Sequence, residues 1–225
     1  MKKLSIFFAF ALASSLHAAE LSYNIGAVSL YKSSGVDQDY SNASGSFDEQ
    51  FRPAVQGGVY ADLGNGFYVG NWNSTGTFGA ASLEIDFYGG YAGTIDNDVN
   101  YNLGYAHYVY PRETSWNGGE IYLSINRGAF TVKVTNGLNG SLLDGSAAKG
   151  RLALSYDLDL AEQLRMTFAY GIRNKAAGNF NDFAVSATRT LGEGRALTLT
   201  YSGATPVASE VARKARLVFG IKQDF

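Results

Sequence analysis

Apolar and polar side chains alternate along most of this chain. From Ala81 the odd positions read Ala81, Leu83, Ile85, Phe87, Gly89, Tyr91, and the even ones Ser82, Glu84, Asp86, Tyr88, Gly90. The split recurs at Leu152, Leu154, Tyr156, Leu158 against Arg151, Ala153, Ser155, Asp157, and at Leu164, Met166, Phe168, Tyr170, Ile172 against Arg165, Thr167, Ala169, Gly171, Arg173. A period of two puts successive side chains on opposite faces of a β-strand. No stretch of more than two helical turns carries apolar residues at helical spacing. Turn residues cut the pattern into twelve segments: about 21–31, 54–63, 67–75, 80–92, 99–110, 120–127, 129–136, 150–158, 164–173, 182–190, 195–202 and 211–225.

Short connections (Gly64-Asn65-Gly66, Ile95 to Asp98, Arg127-Gly128, Asp159 to Gln163, Leu191 to Gly194) alternate with mostly longer ones (Lys32 to Pro53, Gly76 to Gly79, Pro111 to Gly119, Gly137 to Lys149, Asn174 to Asn181, Gly203 to Glu210). An even number of strands with tight turns on one rim and long loops on the other is the plan of bacterial outer-membrane barrels. Pro53, Pro111 and Pro206 all fall on the long-loop rim, where no ladder hydrogen bond is lost.

Alternation alone also suits a soluble sandwich, whose apolar faces meet in a core. Three features favour a barrel with its apolar face in lipid. Most segments have nine or more residues, the length of a tilted crossing, whereas sandwich strands run to about five or six. Mid-strand charges such as Lys133, Arg151, Glu84 and Asp86 keep to the polar face. Aromatic residues end the apolar faces: Phe67, Tyr91, Tyr101, Phe130, Tyr156, Tyr201 and Phe225, as interfacial girdles require. The predicted fold is all-β, a twelve-stranded antiparallel up-and-down transmembrane β-barrel.

Composition adds limits. The 225 residues include 27 glycines, 15 tyrosines and no cysteine, which excludes a disulfide scaffold or a thiol site. A net charge of -2 leaves no footprint for nucleic acid. Lys2 and Lys3 precede an apolar run from Leu4 to Ala13, followed by small residues at Ala18 and Ala19. This is the plan of a secretory signal peptide, expected over residues 1–18 with cleavage after Ala18 or Ala19, which leaves 19–225 as the barrel. At the other end, Leu217, Phe219, Ile221 and Phe225 form an alternating apolar face closed by an aromatic carboxylate. That pattern resembles the insertion signal read by the outer-membrane assembly machinery, with Gln223 as its one departure.

The polar faces are unevenly charged. Asp62, Glu84, Asp86 and Glu120 come from the first half of the barrel, and Lys133, Arg151, Arg165, Arg173, Lys214, Arg216 and Lys222 from the second, with Asp157 and Asp182 interrupting the basic side. Opposed acidic and basic walls across a narrow lumen orient polar solutes and set ion preference. Glu84, Asp86, Lys133, Arg151 and Arg165 are the expected constriction. The competing reading is a filled interior in which these charges only neutralise one another. Trp72 shares a face with Tyr68, Gly70 and Ser74 that belongs either to the lumen or to the lipid side.

Enzyme chemistry finds little support. His107 falls on the apolar face beside Tyr105 and Val109, but the neighbouring apolar faces carry no serine for it to activate, so it is read as a girdle residue. Asp96-Asn97-Asp98 imitates the start of a calcium loop, yet Tyr101 stands where glycine is needed, and Gly137-Leu138-Asn139-Gly140 lacks the lysine of a phosphate loop. No metal or cofactor is expected.

The segments Pro53-Ala54-Val55-Gln56-Gly57-Gly58, Gly66-Phe67-Tyr68-Val69-Gly70 with Trp72 and Ser74, Leu83 to Tyr91, and Tyr108-Val109-Tyr110-Pro111 resemble the TorF family of outer-membrane porins over residues 53–111. Ser33-Ser34-Gly35-Val36 lacks the arginine that family often carries after its first strand. The resemblance implies an outer-membrane barrel of channel type and no particular substrate. The expected function is passive diffusion of small polar or ionic solutes, with the lipid bilayer and the assembly machinery as partners. The alternatives are a closed structural or adhesive barrel acting through the loop from Lys32 to Phe51 and, behind it, a lipid hydrolase.

Overall fold

All twelve predicted segments form strands, and the strands close on themselves. The computed structural model describes residues 19–38, 51–139, 148–175, 179–205 and 211–225; the predicted signal peptide and residues 39–50 of the first loop lie outside them. In chain order the strands are β1 (Glu20–Val28), β2 (Lys32–Ser33), β3 (Val36–Asp37), β4 (Ala54–Gly64), β5 (Phe67–Phe78), β6 (Ala81–Asp96), β7 (Val99–Val109), β8 (Gly118–Arg127), β9 (Phe130–Asn139), β10 (Ala148–Ala161), β11 (Leu164–Lys175), β12 (Phe180–Gly192), β13 (Arg195–Thr205) and β14 (Arg216–Asp224). Strands β2 and β3 make a small hairpin of their own, and the other twelve form an antiparallel barrel closed where β1 pairs with both β4 and β14.

The turns explain the register. Each connection on the short rim leaves two residues between strands: Asn65-Gly66, Asn97-Asp98, Gly128-Ala129, Glu162-Gln163 and Glu193-Gly194. Asn65 (φ 54°) and Gly66 (φ 85°) take the left-handed angles of a type I′ turn, whose twist matches that of the strands it joins. On the other rim the structure corrects the sequence reading twice. Strand β5 runs on to Phe78, so its link to β6 is the two-residue turn Gly79-Ala80 rather than a loop. The last segment begins at Arg216, because Val211–Arg213 forms a 3-10 turn.

The apolar faces point away from the axis. Leu154 and Phe168 are 49% and 42% exposed, which a sandwich core would not allow. Near the short-turn rim Phe67, Tyr91 and Tyr101 form a ring-to-ring series (5.0 and 6.0 Å between centroids), and Phe130 packs on Tyr156 at 4.7 Å. Phe225 is exposed at the same end. Toward the other rim Phe183 lies 5.9 Å from Tyr201, and the Tyr105 hydroxyl pairs with His107 Nδ1 at 3.1 Å. These outward aromatics gather toward the two rims of the barrel. A small buried cluster of Phe78, Ala81 and Tyr110, with Tyr31, Tyr108 and Trp116 against it, sits at the long-loop end.

Candidate functional site

The polar positions converge on the axis, but the first loop joins them there. After β1 the chain turns inward, Tyr31 packing edge-on to Trp72 (5.7 Å) and Phe78 (6.3 Å). Trp72 therefore belongs to the lumen, lining two of its cavities. The hairpin β2–β3 follows, its turn made by Ser34 (φ 48°) and Gly35 (φ 73°). Gly35 is seated so tightly that a Cβ there would lie 2.2 Å from the Gly203 carbonyl oxygen of β13.

Charge holds the hairpin in place. The Asp37 carboxylate takes Lys32 Nζ on one oxygen and Arg216 Nε, at 3.0 Å, on the other. Lys32 Nζ also donates to the Lys214 carbonyl at 3.0 Å. Burial draws the Lys32 ammonium below its ordinary pKa, and the Asp37 carboxylate works against that. Burial, with Glu84 next, pushes the Tyr31 hydroxyl well above its usual range.

Beyond the hairpin lies a cavity of about 240 Å³ with Tyr31, Ser33 and Ser34 on its loop side. One wall carries Glu84, Asp86 and Glu120, the other Lys133, Arg151 and Arg173. Glu84 is buried and accepts from the Tyr110 hydroxyl (2.5 Å), while Tyr108 donates to Glu120 at 2.9 Å. Arg151 makes a two-pronged pair with Asp182 (2.9 and 2.6 Å), so the carboxylate that interrupts the basic wall in the sequence is an arginine partner. Lys133 Nζ lies 4.7 Å over the Tyr122 ring, and Arg173 lies 5.4 Å from the Phe180 ring.

A second cavity of about 450 Å³ continues toward the short-turn rim and shares Asp86, Tyr108, Glu120 and Lys133 with the first. Its wall explains the glycine and tyrosine content. Rings of Tyr88 and Tyr122 lie against Gly70 and Gly104, and the Tyr68 hydroxyl reaches Gly90. The Tyr68 hydroxyl also pairs with Tyr122 (2.6 Å) and donates to Asn102 (2.5 Å). Glycine lets the rings lie on the backbone, the device that protects sheet glycines with aromatic neighbours. A Cβ at Gly104 would meet the Tyr122 hydroxyl at 2.4 Å and the Gly89 carbonyl at 2.7 Å. Gly104→Val is expected to lower barrel stability by about 1–3 kcal/mol through overpacking, read as a reduced urea midpoint in micelles, while Gly220→Ala, whose added Cβ would meet nothing nearer than 3.5 Å, is not.

Of the expected constriction residues, Glu84, Asp86, Lys133 and Arg151 meet around the first cavity together with Glu120 and Arg173. Arg165 and the other lumen charges expected from the sequence lie elsewhere. Arg165 sits beside the Glu162-Gln163 turn, exposed and paired with Asp159 (2.6 Å). Asp62 is at the same rim, where it accepts from the Gly64 amide at 2.7 Å. Lys214 precedes β14 with an exposed side chain, and Arg216 is spent on Asp37. The sequence reading gave no site role to Tyr31, Lys32, Asp37, Tyr108 or Tyr110, and it left Asp182 as an interruption of the basic wall. A readable trace of the hairpin was present: Ser34-Gly35 is a turn dipeptide with Lys32 and Asp37 facing each other across it.

The fold is that of outer-membrane channels. The structure matches that of the KdgM porin (TM-score 0.63, 8% identity, 91% of this chain and 99% of that one). It also matches the NanC porin (TM-score 0.56, 10% identity, 92% and 99%). An outer-membrane phospholipase dimer from Salmonella typhi with bound calcium shares it more loosely (TM-score 0.50, 10% identity, 90% and 89%). No curated protein matches the sequence. This barrel, with its apolar exterior and aromatics toward both rims, resides in the bacterial outer membrane. Residues 12–223 match the family described as a bacterial protein of unknown function, Gcw_chp, and the chain belongs to it.

Proposed function

We propose that the barrel is a narrow passive channel for small polar or ionic solutes and that it is not an enzyme. The observation that carries this reading is the pair of opposed charged walls around a lumen cavity that the first loop narrows. The sequence resemblance of residues 53–111 to the TorF porins agrees with it. In this reading the leader over residues 1–18 is removed on export, and the assembly machinery recognises Leu217, Phe219 and Ile221 on the outward face of β14 together with Phe225 just beyond it. The KdgM porin is described in complex with oligogalacturonate. In this chain Glu84, Asp86 and Glu120 face Lys133, Arg151 and Arg173 around the cavity, so a polyanion does not meet a uniformly basic wall, and the solutes favoured are small polar or ionic ones.

Planar-bilayer recordings of the refolded protein test the proposal. Discrete conductance steps are expected, with a reversal potential that moves toward cation preference for Lys133→Glu and stays in place for Arg165→Glu at the exposed rim. Silent bilayers despite verified insertion overturn it. They would favour a closed barrel, a reading for which the seated hairpin is the specific support.

A further inference from the structure

The charge pattern of the first cavity defines a ligand more narrowly than polarity does. Glu84 is only 3% exposed, yet among the described residues its Oε2 has no hydrogen-bond partner, and neither does the buried Oδ1 of Asp86 two residues along the same face of β6. Both side chains line the cavity. A buried carboxylate oxygen without a partner costs free energy that an incoming donor recovers. Across the cavity the Lys133 ammonium touches the Tyr122 ring and makes no ion pair among the described residues, and the Arg151 and Arg173 guanidiniums stand beside it.

We infer that this cavity is a binding site for small zwitterions of the amino-carboxylate class. The inference rests on the channel reading of the lumen and names the solute it favours. The ammonium of the ligand donates to Glu84 and Asp86, and its carboxylate accepts from Lys133 and from the arginines behind it. The Ser33 and Ser34 segment closes the loop side. A ligand with one charge satisfies one wall and leaves the other buried and unmatched, so selectivity for a zwitterion over either half comes from both walls acting together. Neutrality overall lets it cross the remainder of the pore without opposing either wall.

β-Alanine, propylamine and propionate form a matched set of probes, since the amine and the acid each reproduce one end. Titration calorimetry of the folded protein in micelles is expected to show saturable β-alanine binding about tenfold tighter than either half. Glu84→Gln and Lys133→Gln should each abolish that advantage. Equal affinities for the three probes, or β-alanine binding unchanged in both variants, overturns the inference. Conductance in plain salt separates this from the channel reading: a pore that conducts but ignores β-alanine defeats the site alone. A silent barrel that binds β-alanine defeats the channel alone.

Discussion

Asp37→Ala is expected to widen the pore and weaken the barrel in one step. Lys32, Asp37 and Arg216 have side chains only 3–4% exposed, and Asp37 is the anion between two cations. Its removal leaves both cations buried and facing each other, a change that costs about 3–5 kcal/mol when one partner of a buried pair is lost. Release of the β2–β3 hairpin relieves that strain, because Lys32 regains water. Single-channel conductance should rise severalfold and the urea midpoint should fall. Should the variant fail to fold, Gly35→Val supplies the same test without touching charge, since its Cβ collides with the Gly203 carbonyl and expels the hairpin. Unchanged conductance in folded Gly35→Val would mean that the hairpin does not narrow the lumen. Replacing all three charges by apolar residues of similar size should keep stability near wild type, since an uncharged contact carries no desolvation cost.

The second large effect concerns the outer face. Leu154 lies mid-strand in β10, opposite Val132 on β9 and Tyr170 on β11, and points outward. Leu154→Arg should cost about 2–4 kcal/mol, the penalty of a cation facing the bilayer midplane. Its neighbour Ser155 faces the lumen, so Ser155→Arg is expected to cost far less and to change conductance instead. Folding equilibria in lipid vesicles measure both. If Ser155→Arg proved the more costly of the two, the orientation of the β10 faces given above would be wrong.

How much of this was legible beforehand differs by residue. The strand pattern was readable because alternation is a local property and because turns such as Asn65-Gly66 demand glycine-type backbone angles. The outward direction of Leu154 followed from strand length and from where the charges fell. Height along the axis was not readable. Arg151 and Arg165 share a polar face by parity, yet one meets the central cavity and the other the rim, because parity states a face and not a depth. Partnership across strands was equally hidden: Arg151 reaches over β11 to Asp182 on β12, a contact that passes over Gly171, where no side chain stands in the way. The inward fold of the first loop depends on Asp37 meeting Arg216, residues 179 positions apart. Nothing local distinguishes a polar loop that enters the barrel from one that leaves it.

The five two-residue turns of the short rim also decide where the molecule tolerates handling. A protease needs several residues of slack chain in its cleft, and a rim without slack offers none. Epitope tags, reporter insertions and new chain termini therefore belong at the opposite edge, where longer connections absorb added sequence without disturbing strand register.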